Sequence, residues 1–153
     1  MFRPAFAALI LLLSSAILPA AERSGLRAPV EGPVEAELIS VIDGDTLLVE
    51  ARPWPQHKVV VLVRIRGIDA PELKAGCESA RRAAIRARKR LAGLAQGRIR
   101  LSNISGDKYF GRVLATVSAG AIEDVGSSLL AAGLVSSYDG RHKAGNRCRR
   151  ETN

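Results

Sequence analysis

The chain has 153 residues and carries 23 Lys and Arg against 15 Asp and Glu, a formal net charge of +8. Hydrophobic residues make up 47% and charged residues 25%, which excludes a disordered polyelectrolyte and leaves room for one folded domain. Only 4% is aromatic, so the core has to be built from Val, Ile, Leu and Ala. A basic surface suits a polyanion, and nucleic acid, anionic lipid and acidic polysaccharide all qualify on charge alone.

At the start of the chain, Arg3 precedes an apolar run from Ala5 to Leu18, and Pro19-Ala20-Ala21 supplies small residues ahead of Glu22. That layout reads as a secretory signal peptide over residues 1–21, because the run is shorter than the roughly 20 apolar residues a spanning helix needs. Cleavage would remove one basic residue, Arg3, and no acid. The expected product is a monomer in the periplasm or outside the cell, with no stable membrane association after cleavage. Residues 22–35, with Pro29, Gly32 and Pro33 among charges, read as a flexible leader.

Strand-like runs of Val, Ile and Leu follow at Glu37–Ile42, Thr46–Glu50 and Lys58–Ile68. Arg52-Pro53-Trp54-Pro55 has to be the connection between the last two. From Glu78 to Ala95 the period changes: Ala80, Ala84, Ala87, Leu91 and Leu94 recur at three- and four-residue steps. This predicts an amphipathic helix with Arg81, Arg82, Arg86, Lys89 and Arg90 on its other faces, stopped by Gly97. Two more strands fit Arg98–Asn103 and Arg112–Ser118, joined through Ser105-Gly106-Asp107, and a second helix fits Ile122–Ala132 with Gly133 closing it. Five short strands with a helix between the third and fourth predict a β-barrel with helices, an α+β chain of the five-stranded OB type. The domain is placed at residues 36–140, with a basic tail at 141–153. Cys77 and Cys148 are candidates for a disulfide in an oxidising compartment, one that would contribute about 4 kcal/mol by loop closure.

Chemistry concentrates in three segments. Asp43-Gly44-Asp45-Thr46 sets two carboxylates two residues apart. At strand spacing they share a face, and Gly44 lets the backbone bend so that their oxygens converge as a hard cation requires. The same Asp-Gly is also a common hairpin turn. The run Arg64-Ile65-Arg66-Gly67-Ile68-Asp69-Ala70-Pro71-Glu72 ends a strand with two more carboxylates. Its period of two sets Arg64 and Arg66 opposite Val61, Val63 and Ile65. Asp107-Lys108-Tyr109-Phe110-Gly111-Arg112 is another turn running into a strand.

In this order the three segments resemble the thermonuclease (staphylococcal nuclease-like) family, and Ser128 to Val135 resembles that family's last barrel-capping helix. The resemblance implies an OB-fold barrel that cleaves DNA or RNA with Ca²⁺, ahead of Mg²⁺. Carried over by position, Asp45 and Asp69 would bind the metal directly, with the backbone carbonyl of Ala70 as a further ligand and Asp43 acting through water. Glu72 would be the general base or the orienter of the attacking water, and Arg64 and Arg112 would clamp the phosphate. Lys108, Tyr109 and Tyr138 would be further substrate contacts. Phe110 departs from the best-known pattern, which has Tyr directly before Gly-Arg. Elementary chemistry agrees with these roles, since two guanidiniums give paired hydrogen bonds to phosphate oxygens that lysine cannot copy.

The leading expectation is an endonuclease with little sequence preference, which suits a chain poor in the aromatics that base stacking needs. The alternative is the same barrel as a non-catalytic nucleic-acid-binding module. A lipid- or glycan-binding surface protein fits less well, because the basic helix has charge on several faces and only small apolar residues.

Overall fold

The computed structural model describes residues 28–141 and Cys148. The segment read as a signal peptide, and most of the tail, lie outside the described residues. Five strands close a barrel in the order β1-β2-β3-β6-β5: β1 (Val34–Val41), β2 (Thr46–Arg52), β3 (Val59–Ile65), β5 (Arg98–Gly106) and β6 (Arg112–Ala119). The β3–β6 pair is parallel and the other pairs are antiparallel. Closure leaves no long strand edge open, as an OB barrel should.

The inner face is aliphatic because alternation puts it there. Leu47, Val49 and Ala51 of β2, Val63 and Ile65 of β3, and Ile99 and Leu101 of β5 are all buried. Helix α1 (Glu78–Leu94) buries Ala80, Ala84, Ala87 and Leu91, the face its period predicts, while Leu94 is only partly covered. Such small side chains let α1 lie close against the barrel. Gly97, at φ +66°, turns the chain out of the helix, and its carbonyl accepts from the Leu38 amide at 2.9 Å.

Four boundaries differ from the sequence expectation. The leader ends sooner: Val34 and Glu35 already belong to β1, and Val30 pairs with Ile104. The strand expected to run to Ile68 breaks at Gly67, whose φ of +80° bends the backbone and leaves a two-residue strand β4 (Ile68–Asp69). β4 pairs with an equally short β7 (Ser136–Ser137). β5 continues past Asn103, which has φ +50°, through a register shift to Gly106, so the turn falls later, between Asp107 and Arg112. Helix α2 (Val125–Ala131) starts after Asp124, whose carboxylate caps it by accepting from the Gly126 and Ser127 amides. Ile122 instead pairs with Ala119.

Cys77, at the N-cap of α1, is bridged to Cys148 across a sequence separation of 71. Among the described residues no helix is long and apolar enough to cross a membrane.

Candidate active site

Three segments meet at one end of the barrel and line a cavity of about 660 Å³. The first is the β1–β2 turn, where the amides of Ile42 and Asp43 both donate to the Thr46 carbonyl, at 2.9 and 3.4 Å. Asp-Gly is therefore the hairpin turn and the carboxylate platform at once. Gly44 acts by close packing more than by bending. A Cβ at this position would meet Ala70 Cβ at 2.7 Å and Ala87 Cβ at 2.8 Å, so the turn presses against α1 only because residue 44 has no side chain.

Arg64 enters from β3, opposite Thr46 in the ladder. Its Nη1 donates to Asp45 Oδ1 at 2.7 Å, and its Nη2 donates to Asp69 Oδ1 at 2.9 Å and to the Ile68 carbonyl at 3.3 Å. Asp45 also accepts from the Thr46 hydroxyl and the Ala70 amide, both at 2.9 Å. The three side chains of this cluster, Asp45, Arg64 and Asp69, are all buried. Asp69 is fixed by the β4–β7 pair, and one step on the Tyr138 amide donates to the Gly67 carbonyl at 2.9 Å. That brings the Tyr138 ring to 5.6 Å from the Arg64 guanidinium carbon.

Asp45 and Asp69 share the one Arg64 guanidinium, and Asp43 stands beside Asp45. Burial and the Asp45 charge raise the Asp43 carboxyl above its ordinary range, even though the Asp45 amide donates to Asp43 Oδ1 at 3.1 Å. Burial works against the Arg64 charge, but Asp45 and Asp69 outweigh it and hold its pKa above the usual value.

Among the described residues, no three carboxylate, imidazole or thiol groups stand where together they could hold a metal ion. The donor chemistry nevertheless fits a hard cation. Asp45 and Asp69 are carboxylates of the kind such an ion takes, Asp43 stands beside Asp45, and Arg64 holds one oxygen of both Asp45 and Asp69. At Ala70 the group engaged with Asp45 is the amide.

Arg112 reaches the cavity from the start of β6. Its Nε donates to Asp107 Oδ2, and the guanidinium lies 4.7 Å over the Tyr109 ring. Both Nη groups have no hydrogen-bond partner among the described residues, so the guanidinium fork is held at its base and open at its end. Lys108 Nζ packs over the same ring at 5.1 Å. Phe110, at the tip of the turn, is wholly exposed. Glu72 is exposed and lines the cavity, and its backbone carbonyl accepts from the Ala75 amide at 3.1 Å.

Asp43, Asp45, Arg64, Ala70, Glu72, Lys108, Tyr109, Arg112 and Tyr138, all sequence candidates, therefore line one cavity. Asp69 sits behind it, joined through Arg64. Two contributors escaped sequence reading. Thr46 is one residue of a motif in the sequence, yet its hydroxyl orients Asp45. Asp107 has the look of a plain turn residue, although an acid and an arginine at the two ends of a tight turn are placed to pair.

Barrel and cavity together define an OB-fold domain of the nuclease-like or nucleic-acid-binding kind. The family model described as staphylococcal nuclease homologue matches residues 62–151, more than half of the sequence, and the chain belongs to that family. A search of curated proteins finds no match. The matched stretch begins within β3 and includes Arg64, Asp69, Glu72 and Arg112, while Asp43 and Asp45 precede it and Asp45 pairs with Arg64.

Proposed function

We propose that the protein is an exported, Ca²⁺-dependent endonuclease that hydrolyses DNA or RNA phosphodiester bonds with little sequence preference. The observation that carries this reading is the single cavity shared by three aspartate, glutamate and arginine sources: the Asp43–Asp45 turn, Arg64 with Glu72, and Arg112. Asp45 and Asp69, with the Ala70 carbonyl and with Asp43 through water, would hold the ion. Bound Ca²⁺ supplies positive charge that offsets the charge gathering on the phosphate.

The chain's own residues divide the remaining work. The open fork of Arg112 takes two phosphate oxygens, and Asp107 with the Tyr109 ring keeps it aimed. Arg64 adds a second positive charge at the cavity floor. Glu72 takes a proton from the attacking water as the water oxygen bonds to phosphorus. The P–O bond to the departing sugar oxygen breaks, and that oxygen collects a proton from solvent. Arg112 is a poor proton donor for it, since a guanidinium holds its proton too tightly. Lys108, Tyr109 and Tyr138 serve as substrate contacts around the reacting phosphate.

Export to the periplasm or beyond is supported by the apolar start of the sequence and by the Cys77–Cys148 bridge, a bond that persists in oxidising compartments. A second reading, a barrel that binds nucleic acid without cutting it, is favoured by one observation. Arg64 ties up both Asp45 and Asp69, the two carboxylates assigned to the metal. Incubating plasmid DNA and RNA with the purified protein and Ca²⁺ separates the two. Cutting that stops on chelation supports the enzyme, and tight binding without cutting at any Ca²⁺ concentration supports the binding module.

A further inference from the structure

A second cleft, about 1090 Å³ and larger than the catalytic cavity, lies at the other end of the barrel. Strand β2 runs from Thr46, beside the catalytic cluster, to Arg52, which lines this cleft. At ~3.3 Å per residue the two ends of that strand are about 20 Å apart. The cleft wall is the 53–58 connection, and its floor is formed by residues of β1, β5 and β6.

What lines it is unusual for this chain. Trp54 is 58% exposed, between Pro53 and Pro55, which restrict the backbone that carries it. Its ring lies 5.5 Å from the His57 ring, tilted by 54°. Two of the four lining cations are already matched: Arg52 by Glu37 and Glu50, and Lys58 by Glu50. The side chains of Arg98 and Arg100 are exposed and make no hydrogen bond or ion pair among the described residues. Glu37 and Glu35 stand opposite them in register, and Glu35 is the one carboxylate lining the cleft among the described residues.

An exposed indole beside an imidazole, with two unmatched guanidiniums close by, suits an unstacked base joined to phosphates. The aromatic face takes the base without regard to its identity, and the guanidiniums take the phosphates. A duplex keeps its bases stacked inside and offers Trp54 nothing to stack on. We propose that this cleft is a second binding site for single-stranded nucleic acid, with Trp54 stacking on a base and Arg98 and Arg100 pairing with neighbouring phosphates. The inference rests on nucleic acid being the substrate of the catalytic cavity.

Trp54 is the chain's only tryptophan, so fluorescence excited selectively at tryptophan, beyond tyrosine absorption, reports on this cleft. The purified protein, kept in chelator to hold cutting off, is titrated with oligothymidylate of about ten nucleotides, a length within the range one such barrel binds. An abasic phosphodiester of equal length and dextran sulfate are the comparison probes. The expected result is saturable quenching by oligothymidylate, with the base-free probes weaker by about tenfold, the scale of one stacked base. The Arg98→Ala/Arg100→Ala double variant should weaken oligothymidylate binding by about tenfold or more and flatten its salt dependence. No quenching, equal quenching by the base-free polyanions, or unchanged affinity in the double variant would each overturn the proposal. Plasmid cutting with Ca²⁺ is measured on the same preparations. Cutting without quenching removes this cleft and leaves the nuclease reading, whereas quenching without cutting does the reverse.

Discussion

Arg64 Nη1 lies 2.7 Å from Asp45 Oδ1, so a guanidinium from β3 holds the carboxylate of the β1–β2 turn. The same group reaches Asp69 at 2.9 Å, which makes Arg64 the counter-charge for both proposed direct metal ligands. Arg64→Ala removes that charge and leaves two buried carboxylates facing one another. In metal-free protein the expected loss is about 3 kcal/mol, the scale for breaking a buried pair. Ca²⁺ should then raise the melting temperature of Arg64→Ala more than that of the wild type, because the ion takes over the neutralising role. An equal Ca²⁺ effect in the two proteins, read by thermal denaturation, would separate Arg64 from the metal site.

Arg112 differs from Arg64 in that its Nη groups have no hydrogen-bond partner among the described residues. Arg112→Lys keeps the charge but loses both the bond from Nε to Asp107 and the paired contacts to phosphate. Its kcat/KM on plasmid should fall on the order of 10²-fold, close to the loss in Arg112→Ala. A Lys variant with near wild-type rate would mean that charge alone is needed there.

Asp43 gives a dependence on pH with a definite sign. Burial first, and the Asp45 charge second, raise its carboxyl in the folded protein above the ordinary value of about 4. The folded state therefore holds that proton more tightly than the unfolded chain does, and this contribution to stability is present at low pH and lost as pH rises through the folded value. Asp43→Asn should raise the melting temperature of metal-free protein at neutral pH, with the gain vanishing below about pH 4. Melting curves across pH in chelator check this, and a pH-independent difference would refute the electrostatic cause.

Gly44→Ala would place a methyl group within 2.8 Å of Ala70 Cβ and Ala87 Cβ. Either the turn or α1 has to move, at an expected cost of about 1–3 kcal/mol. Activity should fall with stability, because the displaced turn carries both Asp43 and Asp45. Denaturant unfolding alongside a cutting assay reads both effects.

The barrel was legible because each strand carries its own alternation and α1 its own period; Leu47, Val49, Val63 and Ala87 lie inside as those patterns require. Motif order picks out residues that the fold brings to one cavity. The wiring was not legible, because it depends on register: only the pairing of Thr46 with Arg64 brings Arg64 to Asp45, across 19 residues of sequence. Short elements also escaped. β4 and β7 have two residues each, too few to show a period, and the start of α2 was misplaced because Asp124 was not recognised as its cap. Trp54 was read only as part of a connection, since nothing local says that Arg98 and Arg100 arrive beside it.

The most direct measurement is the rate of plasmid cutting by wild type and Glu72→Gln, each with Ca²⁺ and again after chelation, with DNA binding measured in parallel. Wild type should cut with Ca²⁺, stop on chelation and resume when the ion is restored. Glu72→Gln should lose on the order of 10²- to 10⁴-fold in rate, the usual scale for a general base, while binding DNA as before. Undiminished cutting in chelator, or a wild-type rate in Glu72→Gln, would contradict a Ca²⁺-dependent hydrolysis that uses Glu72.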